Sequence, residues 1–336
     1  MTWDDLQRIH AWESDPASYT HAPHALHTSL EQTRAAMRPW LGSWERGEIA
    51  YWVAERKDTG EPIGLGGIRA TEGGINLAYR LDTAQHGQGF GSEIARAATA
   101  LAAEWLPGEE VFALIRPVNV ASRRTAERAG LWLTDQHPDE PDPPDGAEPS
   151  LLYLSPRVVE GCDDVTPGSA AYDEVLDLWC HVNETGGSVG FEGAAPRDEV
   201  ARAFDRHLED CRSDLGTMVR LLHPVTGAVL GAGFWAQSRH PKFHHVGELR
   251  RVMVDPRHRR RNLGRLLVGG MHAIGRDRGI EIARLNYRDG TGVQDFYVTC
   301  GYVEVGRIPG GLRLRTRDVD DVIMARRLDG HPFPAH

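Results

Sequence analysis

The chain has 336 residues, 38 Lys and Arg against 48 Asp and Glu, a net charge of −10 and a pI near 5.9. That balance excludes a protein that coats nucleic acid, because neutralising phosphates takes a broad basic face. The acidic N-terminus lacks the basic start and apolar core of a signal peptide, and no run approaches the ~18 apolar residues of a membrane span, so a soluble cytoplasmic protein without membrane contact is expected.

With 40% hydrophobic residues the chain can build packed cores, and its length suggests two of them. Cys162, Cys180, Cys211 and Cys300 are far apart and show no Cys-x-x-Cys spacing, so neither a metal site nor a disulfide framework is indicated.

In chain order, residues 2–13 and 29–46 read as amphipathic helices, and 49–56 and 62–70 as strands. INLAYRLDTAQHGQGFGSEIARAATALAAEW then runs from a strand through a glycine turn into a helix; a strand at 111–115 and a helix ending at Gly130 follow. HPDEPDPPDGAEP, 137–149, is acidic and proline-rich and is expected to be an exposed loop. The first half still lacks its last strand, which SLLYLSPR from Ser150 supplies, so the boundary is expected near Arg157, giving domains 1–156 and 157–336.

The second half repeats the plan. Helices are expected at 170–183 and 197–211 and strands at 216–222 and 229–237. GELRRVMVDPRHRRRNLGRLLVGGMHAIGRDRG follows, then a strand at 280–285 and a helix ending at Gly301. The first half opens directly on a helix, without a first strand. His21, His24 and His27 are three apart, but Pro23 interrupts a helix there, so a surface loop is expected rather than a metal site. His240, His244 and His245 precede Glu248 and either line an acceptor pocket or form a polar hairpin.

A turn that opens a helix presents unpaired N–H groups and the positive end of the helix dipole, an anion site. In the first half Gly87, Gly89 and Gly91 alternate with Gln88 and Phe90 and open the helix at Ser92. In the second, RHRRRNLG carries four arginines in five residues, and Asn262 stands where glycine is usual; Asn tolerates left-handed backbone. The alternatives are a plain strand-to-helix turn in the first half and a solvated basic rim in the second.

Strand, Arg/Gln-x-x-Gly-x-Gly/Ala, long helix, strand, then a helix ending in Gly-Phe/Tyr resembles the GNAT superfamily of N-acetyltransferases, and the resemblance covers nearly the whole chain as two tandem domains. It implies an α/β (α+β) fold in which each domain is a mixed, mostly antiparallel sheet flanked by helices, and acetyl-coenzyme A as cofactor, its pyrophosphate in the turn. Cofactor contacts are then expected at Leu81, His86, Gly87, Gln88, Gly89, Phe90, Gly91, Ser92, Asn119 and Ser122 in the first domain. In the second they fall at Val252, Val254, Arg259, Arg260, Arg261, Asn262, Leu263, Gly264 and Arg265.

The family's chemistry needs a base for the amine and an acid for the thiolate. The resemblance implies Glu248 as the base and Tyr297 as the acid; bland alternatives are a Glu248–Arg250 ion pair and an aromatic used for packing. In the first domain Asn119 and Ser122 resemble the Asn-x-x-Ser of enzymes that acetylate ribosomal-protein N-termini, whereas Asn76 and Ala126 stand where a glutamate and a tyrosine would. The expected function is acetylation of a small-molecule primary amine by the second domain, and the negative overall field suits a cationic one. Acetylation of a protein N-terminus and a non-catalytic acyl-coenzyme A sensor are the alternatives.

Overall fold

The computed structural model describes residues 1–136, 146 and 148–333, so most of the expected loop at 137–149 lies outside the described residues. The first half carries α1 (Leu6–Glu13), α2 (Leu30–Glu45), β1 (Trp52–Glu55), β2 (Pro62–Thr71), β3 (Gly74–Leu81), α3 (Phe90–Trp105), β4 (Val111–Ile115), α4 (Val120–Arg128), β5 (Trp132–Leu133) and β6 (Leu151–Leu154). The second carries β7 (Arg157–Glu160), α5 (Ala170–Glu184), α6 (Arg197–Arg212), β8 (Gly216–Leu222), β9 (Val229–Gln237), β10 (Val246–Val254), α7 (Leu263–Asp277), β11 (Ile282–Arg288), α8 (Gln294–Thr299), β12 (Val303–Arg313) and β13 (Asp318–Arg327). Two expected strands shift: β1 starts at Trp52 rather than 49, and β11 covers Ile282–Arg288 rather than 280–285.

Side-chain caps set several helix starts. Ser29 accepts the Gln32 N–H before α2, Asn119 the Ser122 N–H before α4, and Ser169 the Tyr172 N–H before α5. Contacts divide the chain into two compact units, Met1–Ala102 with Glu109–Pro156, and Arg157 onward with Ala103–Gly108.

The first unit holds a six-stranded sheet in the order β1-β2-β3-β4-β6-β5, antiparallel except for the β3–β4 pair. The second holds seven strands in the order β12-β13-β11-β10-β9-β8-β7, antiparallel except for β10–β11. The unit that opens on a helix is thus one strand shorter, since β7 precedes α5 and pairs with β8.

In each unit the parallel pair stops early. β3 and β4 pair only at Ile75–Val111 and Asn76–Phe112, after which Leu77–Leu81 run on without β4. β10 and β11 pair at Val246–Ile282, Gly247–Ala283 and Glu248–Arg284, and then separate. The opening exposes main-chain N–H and C=O groups in mid-sheet, where an extended ligand with amides of its own can satisfy them.

Each sheet is covered on both faces. In the first unit Leu6, Ile9, Trp12, Met37 and Leu41 of α1 and α2 pack with Tyr51 and Leu65, while Ile94 of α3 packs with Ile63 and Leu81. In the second, Trp179 of α5 and Phe204 of α6 meet Phe234 and Met253 on one face. On the other face the Trp235 indole N–H donates to the Met271 carbonyl of α7 at 2.9 Å.

Candidate active site

The two turns have one backbone shape. Gly87 and Gly89 have φ of 77° and 92°; Arg260 and Asn262 have φ of 67° and 60° at the corresponding places, each pair two residues apart and ending where the long helix begins. Asn262 therefore takes the left-handed position expected of it. Arg260 takes the other, where no sequence signal marks it, at a cost of roughly 1–2 kcal/mol for a side chain in left-handed backbone.

Side chains around the first turn fold back on it. A His86 ring nitrogen lies 3.3 Å from the Leu81 carbonyl oxygen, and the Gln88 amide donates to Ala84 O and Gln85 Oε1. Leu81 is buried in the core, and Phe90 lies beneath the Arg56 guanidinium at 5.4 Å. Gly91 faces Tyr79, whose ring would stand 3.2 Å from a Cβ there; Ser92 is half-buried in the first turn of α3. Gly87 and Gly89 have nothing within 4 Å of a Cβ, so backbone conformation alone selects glycine.

In the second turn the arginine cluster is not uniform. Arg257 is committed to the buried Asp255, with Nη2–Oδ2 at 2.7 Å, while Arg259 and Arg260 are exposed and Arg261 and Arg265 half-buried. Leu263 is core, and Gly264 permits close approach to α8, since a Cβ there would meet the Phe296 ring at 3.0 Å. Val252 and Val254 lie on the part of β10 that has left β11.

Glu248 and Asn76 occupy equivalent places, each the last strand residue paired before its opening. The Glu248 carboxylate is bound twice, by Arg250 Nε at 2.8 Å and by Arg284 Nη2 at 2.9 Å. Burial acts to raise its pKa, but the two guanidiniums outweigh that and hold the carboxyl below its usual range. Asn76 Oδ1 instead accepts the Tyr51 hydroxyl at 2.5 Å.

Tyr297 sits on α8, its ring edge-on to Tyr302 at 5.7 Å, and the Tyr302 hydroxyl is 2.8 Å from His272 Nε2 of α7. Burial pushes the Tyr297 phenol well above its usual value, so it keeps its proton throughout the neutral range. In the first unit the Asn119 side chain caps α4, and the Ser122 hydroxyl accepts from Tyr79 of β3 at 3.2 Å. Sequence reasoning did not find Tyr79: the contact joins residues 43 apart.

His244 Nδ1 lies 2.8 Å from the Pro241 carbonyl oxygen in the turn before β10, at the strand end away from the opening. A polar cleft of about 470 Å³ lined by Asp214, Gln237, Ser238, Arg239, His244, Asp277 and Arg278 also lies at that end. Among the described residues no group of three or more His, Cys, Asp or Glu could hold a metal ion, and no helix is long and apolar enough to cross a membrane.

Residues 1–131 match the model described as an acetyltransferase (GNAT) domain, and residues 189–302 the model of the acetyltransferase (GNAT) family. Between them they span most of the chain, which belongs to the GNAT acetyltransferases and carries two such domains in tandem. It is an N-acetyltransferase that uses acetyl-coenzyme A.

Similar solved structures include yncA of Salmonella typhimurium, solved with its cofactor acetyl-CoA (17% identity, 54% of this chain and 98% of that one, TM-score 0.41). Others are the ribosomal-protein-alanine N-acetyltransferase of Brucella melitensis (17%, 47% and 94%, 0.39) and an N-acetyltransferase of Staphylococcus aureus Mu50 (12%, 51% and 99%, 0.40).

Proposed function

We propose that the second unit acetylates a primary amine of a small molecule, and that the first binds acetyl-coenzyme A without the groups for transfer. The carrying observation is the pair of equivalent strand positions: a carboxylate, Glu248, at the opening of the second sheet, and the amide Asn76, capped by Tyr51, at the opening of the first. The residues around the second turn fit the cofactor, with left-handed backbone at Arg260 and Asn262, exposed Arg259 and Arg260, and an unpaired β10 edge through Val252 and Val254.

When bound, acetyl-coenzyme A would supply the acetyl group and a thiolate leaving group. The amine nitrogen bonds to the carbonyl carbon as the carbon–sulfur bond breaks, so one proton leaves nitrogen and one reaches sulfur. Glu248, ionised at neutral pH, accepts the first through a water. Tyr297, which keeps its phenolic proton, donates at the sulfur.

In the first unit the Asn119 and Ser122 side chains serve the α4 cap and the bond from Tyr79, a structural use of the motif that suggested protein N-termini as acceptors. Thiol release against a panel of primary amines and N-terminal peptides tests the reading: turnover with amines and none with peptides is expected. Turnover confined to peptides would favour the N-terminal reading, and no turnover with either would favour a sensor.

A further inference from the structure

Two faces meet at the opening of the second sheet. The turn that opens α7 lies on the face where Trp235 meets Met271. Arg250 pairs across the ladder with Phe234, which packs with Trp179 and Phe204, so Arg250 and Glu248 belong to the opposite face, toward α5 and α6. A donor held by the α7 turn enters from one side, and the acceptor must reach it from the other.

The first residues past the last β10–β11 pair on that acceptor side are arginines. Arg251 lies in the β10 bulge with φ of 51°, a left-handed conformation uncommon in a non-glycine residue and held there by the surrounding structure. Its guanidinium stands 5.8 Å from the Trp179 ring centroid, and the loop between α5 and α6 lies against it so closely that a Cβ on Gly190 would be 2.8 Å from Cζ. Arg251 Nε is buried without a hydrogen-bond partner.

The carboxylate on the same strand, Glu248, already has both oxygens bound by Arg250 and Arg284. Two guanidiniums thus bind the one carboxylate, and the third, Arg251, lies half-buried next to Arg250 on the same strand, an arrangement that is costly until an anion arrives. His207 of α6, stacked on Phe234 at 4.7 Å, registers the surplus: burial, then Arg251, Arg250 and Arg206, push it down to about 4.

We infer that the amine acetylated by the second unit also carries an anionic group, a carboxylate in its simplest form, which Arg251 receives beside Arg250 and Arg284. The inference rests on the acetyl-transfer reading of that unit and departs from the cationic acceptor suggested by net charge. The pyrophosphate does not compete for Arg251, because its turn is on the α7 face. An oxyanion-stabilising role is a different case, in which the loss of Arg251 would lower kcat for charged and neutral acceptors alike.

The test uses the full chain, with glycine, L-methionine and L-phenylalanine and their carboxamides as probes, read by thiol release and by calorimetric binding in saturating coenzyme A. The acids are expected to be preferred over their amides by at least about tenfold in KM or Kd, the scale of a charge-assisted hydrogen bond. Arg251→Gln should erase that preference and leave the KM for acetyl-coenzyme A unchanged, while Arg251→Lys keeps part of it.

Arg251→Gly guards against misfolding: it frees the left-handed position and removes the unpaired charge, so its melting temperature should hold or rise as the preference disappears. Equal handling of acids and amides, or a preference that survives in Arg251→Gln, overturns the inference. If amides are acetylated as well as acids, the transferase reading stands and the inference alone falls. If none of these probes releases thiol while other amines of the panel do, the inference falls and the transferase reading stands.

Discussion

Arg260→Gly separates the anion-binding use of the second turn from its structural use, because the two respond in opposite directions. At φ of 67° the arginine is held in left-handed backbone at roughly 1–2 kcal/mol, which glycine would relieve. The greater freedom of glycine in the unfolded chain takes back about 0.4–1 kcal/mol. The remainder, about 0.5–1 kcal/mol in favour of the variant, corresponds to a rise of about 1–4 °C in melting temperature for a domain of this size. Arg260 is exposed, so little packing is lost. If its guanidinium meets pyrophosphate, the same change removes a charge-assisted hydrogen bond, and the KM for acetyl-coenzyme A should rise by about tenfold or more. Scanning calorimetry and initial-rate kinetics on one preparation read both effects. A melting temperature that rises with no change in KM would return the arginines to a solvated rim, and one that falls would contradict the backbone argument.

Three other outcomes follow from the geometry. Gly89→Val puts a β-branched residue at φ of 92° and should abolish cofactor binding by the first unit, lowering the calorimetric stoichiometry from two to one; an unchanged stoichiometry would refute a cofactor site there. Asn119→Ala removes the α4 cap and should destabilise the fold by about 1 kcal/mol, read in urea denaturation, with little change in turnover. The folded pKa of Glu248 is depressed, so its contribution is complete above the ordinary carboxylate range and is lost as pH falls through the lowered value. Tyr297 stays protonated past about pH 10. Between those limits the kcat profile should show only the amine's own titration, and an inflection near neutrality that disappears in Glu248→Gln would contradict this.

What could be read from the chain was local. The glycine spacing at Gly87 and Gly89 and the tolerance of Asn262 for left-handed backbone identified both turns, and hydrophobic periodicity located strands such as Gly216–Leu222 and Val229–Gln237. What was missed depends on partners distant in sequence. The Glu248–Arg250 pair was foreseeable from one strand, but Arg284 joins it only because β11 lies parallel to β10. Tyr79 reaches Ser122 only because β3 and α4 converge, and neither the bulge at Arg251 nor the left-handed Arg260 carries a composition signal, since both positions hold residues that normally avoid that conformation. The grouping of Ala103–Gly108 with the second unit is likewise a tertiary fact, as those residues continue α3 and the turn after it.

Which unit transfers the acetyl group is measured most directly by kcat, read as thiol release against the best amine, for Glu248→Gln, Tyr297→Phe and Ser122→Ala side by side. Glu248→Gln and Tyr297→Phe should each lower kcat by about 10²–10⁴-fold with the KM for acetyl-coenzyme A nearly unchanged, while Ser122→Ala keeps wild-type turnover. Turnover abolished by Ser122→Ala and retained by the other two would contradict the assignment and make the first unit the enzyme.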